Sequence, residues 1–91
     1  MQTNAVISVL GKDRTGIIAT ISATLYECGV NIDDVRQTIL DDVFTMVMLV
    51  TLDEEKCPFG KVQELLEKDG ETLGMQIRLQ RKDVFDFMYK I

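Results

Sequence analysis

The amino-acid sequence predicts an α+β sandwich with the element order βαββαβ, followed by a helical tail. Apolar residues recur with period two in the segments read as strands and at helical spacing in those read as helices. Glycine, proline or acidic residues separate these segments. Two strand–helix–strand halves with right-handed crossovers form one four-stranded antiparallel sheet with both helices on one face, which is the ferredoxin-like arrangement.

The first half of the chain begins with a predicted strand over residues 4–10, whose apolar side chains fall on both faces, as in a central strand. Apolar residues at helical spacing predict a helix over residues 15–28, and Gly29 fits its left-handed C-terminal cap. Residues 30–40 alternate weakly and are rich in polar side chains, which is typical of a strand at a sheet edge.

The second half follows a turn of two aspartates. Residues 43–52 are apolar on both faces, which predicts a second central strand. Pro58 is suited to the start of a helix, and the apolar spacing extends that helix over residues 59–73, with Gly74 as its stop. Residues 75–80 alternate between apolar and polar side chains, which predicts a half-buried strand.

Residues 82–91 are predicted to form a short helical tail that packs on the protein. The central strands are apolar on both sides, but the two helices cover only one face of the sheet. The other face therefore needs the tail, a second copy of the chain, or both as a cover. The apolar residues of the tail are Val84, Phe85, Phe87, Met88 and Ile91.

Composition excludes several classes of function. A net charge of −5 disfavours nucleic acid and anionic membrane surfaces as partners, and no apolar run approaches the length of a membrane span. The sequence contains no histidine, which removes the usual general base and imidazole metal ligands. Two cysteines and no recognisable secretory signal predict reduced thiols in a cytoplasmic protein. We expect no enzyme, no metal and no cofactor.

Residues 11–17, with the sequence G-K-D-R-T-G-I, form the most informative loop. Two glycines flank a charged turn that leads into a helix N-terminus, where free backbone N–H groups favour an anion such as a carboxylate. A structural interpretation stays open: Asp13 has the chemistry of an N-cap, Gly11 can simply end the strand, and Lys12 and Arg14 can be solvated. The spacing is not that of a phosphate-binding loop.

The motifs G-K-D-R-T-G-I-I and C-G-V-N-I-D-D, at the first and second predicted strands, resemble those of the ACT domain. The stretches Q-T-I-L-D-D-V-F-T-M-V-M-L-V and Q-I-R-L-Q are similar to an uncharacterised bacterial and archaeal family of stand-alone single ACT domains. The resemblance covers essentially the whole chain and implies one ACT domain over residues 1–91, with 82–91 as its tail. Tyr89 stands where relatives tend to carry a histidine.

The resemblance implies a non-catalytic regulatory module that senses a small molecule, most simply an amino acid, at a homodimer interface, and that can control a protein partner. In ACT domains the loop after the first strand faces the start of a neighbouring subunit's second strand. An amide at the second strand can donate to a carboxylate and accept from an ammonium group, or it can serve only as a turn residue. The implied ligand-binding residues are Gly11, Asp13, Arg14, Gly16, Ile17, Asn31 and Ile32.

Two other functions remain open at this point. The chain can be a ligand-free protein–protein interaction module that uses its bare sheet face. It can also be an acylphosphatase-like hydrolase. Such enzymes use an arginine in the first loop and an asparagine on the second strand, and Arg14 and Asn31 match these positions here. Asp13, however, would repel a phosphate.

We interpret the acidic pairs as solvated turns. We interpret Cys28 as a buried core residue and Cys57 as the more accessible thiol.

Overall fold

A computed structural model describes residues 2–88 and their side chains, other than those of Phe85, Phe87 and Met88. The predicted element order is confirmed, including the short C-terminal helix. The elements are β1 (Gln2–Lys12), α1 (Ile17–Glu27), β2 (Asn31–Leu40), β3 (Val43–Asp53), α2 (Phe59–Leu73), β4 (Met75–Arg81) and α3 (Lys82–Met88). The four strands form an antiparallel sheet in the order β2-β3-β1-β4.

The core lies between the sheet and the two long helices. Alternate residues of β1 and β3 point into it, and each helix contributes one apolar stripe, because only side chains spaced by two on a strand or by three to four on a helix share a face. The prediction that β3 is central is confirmed. The most fully buried of these side chains are Ile7, Ile21, Leu25, Met46, Met48, Leu52, Val62 and Leu66.

Strand β2 is an edge strand, as predicted, and every one of its residues is exposed. Ile32, Val35 and Ile39 pair with core-facing residues of β3, so they lie on the helix-covered side of the sheet, yet they are 37–52% exposed. The side chains of Asp34 and Arg36 lie on the opposite side. Within the part of the chain that the structure describes, both faces and the outer backbone edge of β2 are therefore without cover.

The two helices end at glycines that adopt left-handed conformations. Gly29, with φ 68°, follows Cys28, the C-cap residue of α1, and Gly74, with φ 70°, caps α2. A third glycine, Gly70, lies inside α2 for a different reason: a Cβ there would approach the Met75 carbonyl oxygen to 2.7 Å. The missing side chain thus lets α2 pack closely against the start of β4.

Helix α3 packs against β1 and β4. The predicted tail is confirmed as a helix as far as residue 88, whereas residues 89–91 and the side chains of Phe85, Phe87 and Met88 lie outside the described part of the chain.

The sheet face opposite the two long helices is uncovered away from α3. On this face 47% of the surface of Leu10 and 42% of that of Val43 is exposed to solvent. Among the described helices none is long and apolar enough to cross a membrane.

Candidate functional site

The loop between β1 and α1 is tied to the turn between β2 and β3. The backbone N–H of Asp13 donates to the carbonyl oxygen of Asp42 at 2.7 Å, and Asp41 holds that turn with a positive φ of 59°. The Asp13 side chain is not the N-cap of α1, so that interpretation is wrong. The chain passes through a left-handed residue just before the helix, and this places Gly16 at the N-cap position instead.

The N-terminus of α1 has no side-chain cap among the residues that the structure describes. Gly16 has φ 86°, and a Cβ placed on it would have no heavy atom within 4 Å. The first turn carries no acidic side chain, so the positive end of the helix dipole is not neutralised locally. Ile17 is buried in the core at 3% exposure, so this residue can offer a ligand only its backbone.

Arg14 is directed toward the end of α2. Its guanidinium donates to the carbonyl oxygens of Thr72 and Leu73 at 3.5 and 3.4 Å. A cation in this position complements the negative end of the α2 dipole and binds carbonyls that lack helical partners. Arg14 therefore holds the loop against α2, although the residue remains exposed to solvent.

Gly11 has a steric role of its own. A Cβ at this position would lie 2.5 Å from Sδ of Met75 and 3.3 Å from the carbonyl oxygen of Gly74. The glycine thus allows β1, β4 and the end of α2 to meet closely beneath the loop. Of the predicted loop residues, Gly11 and Arg14 shape the loop, while the space beside the Cα of Gly16 is open.

Asn31 and Ile32 lie at the opposite end of the sheet. Lys12, at the end of β1, pairs with Val43, whereas Asn31 pairs with Thr51. The two β3 partners are separated by eight residue steps, which span about 26 Å in an extended strand. A single chain therefore does not bring the two predicted halves of the ligand site together.

A small polar cluster surrounds Asn31. Its amide donates to Asp33 Oδ1 at 2.6 Å, and the Thr51 hydroxyl lies 2.6 Å from Asp33 Oδ2 and 3.2 Å from Asn4 Oδ1. The sequence offered no signal for Thr51 or Asn4, because only the strand register places them beside Asn31. The amide of Asn31 is thus oriented by a carboxylate, and the cluster is exposed to solvent.

This geometry argues against the acylphosphatase alternative. Arg14 and Asn31 would have to contact one phosphate, but they lie at opposite ends of the sheet, and Arg14 is engaged with α2. Among the described residues there is also no group of three or more His, Cys, Asp or Glu side chains that could hold a metal ion.

The two cysteines lie together in the core. Cys28 is 6% exposed and Cys57 is 9% exposed, so Cys57 is only slightly the more exposed of the two and both residues are buried. The turn after β3 folds back on itself, with the Cys57 N–H donating to the Asp53 carbonyl oxygen at 3.1 Å, and this directs the thiol inward. Burial, together with the neighbouring Cys57 thiol, raises the pKa of Cys28 to about 11.

The four-stranded βαββαβ sandwich is the fold of a class of small domains that includes regulatory ligand-binding modules. The ACT-domain sequence profile matches residues 3–80. A UPF0237 protein of Methanocaldococcus jannaschii is 46% identical over 89 residues, which cover 98% of this chain and 99% of that protein. The chain therefore belongs to the ACT-domain family, whose members are in general regulatory modules that bind small molecules.

Solved structures agree with this assignment. An ACT domain protein from Streptococcus pneumoniae superposes with a TM-score of 0.78 at 40% identity, over 92% of this chain and 94% of that one. A structure assigned as a glycine cleavage system transcriptional repressor gives a TM-score of 0.79 at 25% identity. The match covers 89% of this chain and 46% of the repressor, so the fold found here makes up about half of that protein.

Proposed function

We propose that this chain is a non-catalytic regulatory module that binds an amino acid at a site shared by two copies of the chain. The ligand carboxylate binds at the N-terminus of α1, beside Gly16, and Asn31 of the second copy contacts the ligand from the other side. No cofactor takes part, and the module acts in the cytoplasm by reporting ligand occupancy to a protein partner.

The observation that carries this proposal is the separation of the two halves of the site. The loop offers an uncapped helix N-terminus with open space at Gly16, which suits a carboxylate. The start of β2 offers an amide and a carboxylate, and Thr51 of the neighbouring β3 adds a hydroxyl; these groups suit an ammonium group. About 26 Å of strand separates these two groups within one chain, so a ligand that contacts both requires a second copy.

Pairing through β2 supplies that copy. Strands β1 and β2 run in the same direction, because both are antiparallel to β3. A two-fold axis that pairs β2 with itself therefore places the start of one β2 beside the end of the other. In that arrangement the start of the second β2 lies roughly three strand spacings, about 14 Å, from the end of β1. The same pairing would give hydrogen-bond partners to the outer backbone edge of β2.

The proposal is tested by thermal denaturation in the presence of each amino acid, since a ligand that binds only the native state raises the melting temperature. With the amino acid that gives the largest rise, calorimetric titration should show no binding for Gly16→Val. Gly16→Asn should behave in the same way, and it separates occlusion of the site from backbone strain, because asparagine tolerates positive φ. Asn31→Ala should weaken binding by about 1–3 kcal/mol.

A matched control is Asn4→Ala, which removes a second amide from the polar cluster without touching β2 itself. It should leave the affinity within a few-fold of the parent. If no amino acid raises the melting temperature, or if Gly16→Asn and Asn31→Ala both bind as the parent does, the site is wrong and the ligand-free interaction module becomes the better description.

A further inference from the structure

Cys28 and Cys57 form a buried pair that the proposed ligand site does not use. Cys28 is the C-cap residue of α1, and Cys57 lies in the turn just before α2. Both belong to the same core cluster, where the Cys57 thiol is near enough to Cys28 to help raise the pKa of that thiol. The adjoining residues also meet, because a Cβ on Gly29 would lie 3.5 Å from Cδ of Lys56.

The surrounding backbone connects this pair to β2. Gly29, with φ 68°, donates its N–H to the Tyr26 carbonyl oxygen, and the Val30 N–H donates to that of Leu25 at 2.9 Å. Asn31 follows directly as the first residue of β2. Cys28 therefore lies at the base of the short turn that presents Asn31, and Cys57 lies on a segment that is distant in sequence.

We propose that Cys28 and Cys57 are an oxidation site, and that a peroxide converts them to an intramolecular disulfide that pins the turn between α1 and β2 to the turn before α2. The sulfur of Cys57, the slightly more exposed of the two, attacks a peroxide oxygen. An S–O bond forms, the O–O bond breaks, and the leaving hydroxide takes up the thiol proton as water.

The second step of the oxidation forms the disulfide. The Cys28 sulfur attacks the sulfenic sulfur of Cys57, the S–S bond forms, and the S–O bond breaks with release of a second water. Two thiols and one hydrogen peroxide thus yield one disulfide and two waters. Burial and the Cys57 thiol raise the pKa of Cys28 to about 11, so this thiol is protonated at neutral pH and becomes a stronger nucleophile as the pH rises.

The disulfide would restrict the segment that carries Asn31. If the proposed function holds, oxidation thereby acts on the half of the ligand site that the second copy contributes. The oxidation itself does not depend on that function, because it needs only the two thiols and the folded chain.

Hydrogen peroxide added to the folded, reduced protein provides the test. We expect the intact mass to fall by two hydrogen atoms and both thiols to become unreactive after denaturation. Closure of the disulfide by Cys28 should accelerate as the pH rises toward 11. The melting temperature should rise by more than about 5 °C and return after treatment with dithiothreitol. Amide hydrogen exchange at residues 29–31 should slow by about tenfold.

Cys28→Ser and Cys57→Ser serve as matched controls, and each should gain oxygen or form intermolecular disulfides without the rise in melting temperature. Two free thiols after peroxide treatment, or a product that consists only of intermolecular disulfides or sulfinic acids, would overturn the proposal. An oxidised chain whose exchange at residues 29–31 is unchanged would show that the disulfide does not pin the turn.

Discussion

At the scale of single residues, two glycines of α2 illustrate how one residue type serves different purposes. Gly70 faces β4, where a Cβ would collide with the Met75 carbonyl oxygen. Gly60 lies in the first turn of the same helix, and a Cβ there would have no heavy atom within 4 Å. The sequence alone suggests only that both weaken the helix, whereas the structure separates a packing requirement from a position that tolerates a side chain.

We therefore predict opposite effects for the same substitution at these positions. Gly70→Ala should lower the free energy of unfolding by about 1–3 kcal/mol, because the backbone carbonyl cannot move aside without shifting β4. Gly60→Ala should raise it by about 0.4–1 kcal/mol, through the lower entropy of the unfolded chain. Urea denaturation of both variants measures the difference, and equal destabilisation by the two would contradict the packing argument.

At the scale of elements, the strands and helices follow from apolar periodicity, and the differences from prediction have local causes. Helix α1 begins at Ile17, later than predicted, because the left-handed Gly16 precedes it. The edge position of β2 and the central position of β3 could be predicted from their side chains. The separation of Asn31 from the loop could not be predicted from the sequence, because it depends on the strand register. The burial of Cys57 could not be predicted either.

The C-terminal helix α3 offers a test at this scale. Deletion of residues 82–91 should lower the free energy of unfolding by roughly 1–3 kcal/mol or reduce solubility, because it uncovers apolar surface of β1 and β4. The control is Asp86→Ala, which removes only the exposed 2.7 Å ion pair with Lys82 and should change stability by less than about 0.5 kcal/mol. A truncated chain that melts and elutes like the parent would show that α3 is dispensable.

At the scale of the whole molecule, the uncovered β2 strand is the feature that calls for a partner. Asp34 and Arg36 share one face of this strand and lie 3.9 Å apart within the chain. An antiparallel two-fold pairing centred on Val35 would place Asp34 of each copy opposite Arg36 of the other. The strand is thus complementary to itself in charge, which favours this register over a slipped one.

Charge reversal tests the pairing. Asp34→Arg or Arg36→Asp alone should weaken dimerisation by roughly 1–2 kcal/mol, because like charges then face each other across the interface twice. The double variant should restore the parental dimer, and sedimentation at a series of concentrations measures all four proteins. If both single variants dimerise as the parent does, or if the parent itself stays monomeric, β2 does not form the interface.

The central claim is that each ligand site takes the loop of one chain and the start of β2 from another, and mixing two defective variants tests it most directly. Gly16→Val and Asn31→Ala each damage every site of their own homodimer. In a mixed dimer one site carries both defects and the other carries neither, so random mixing should restore about one quarter of the sites to full affinity. Calorimetric titration after co-refolding, with the amino acid found by thermal denaturation, should detect these restored sites. A mixture that binds no better than its two components would show that the site is not shared between chains.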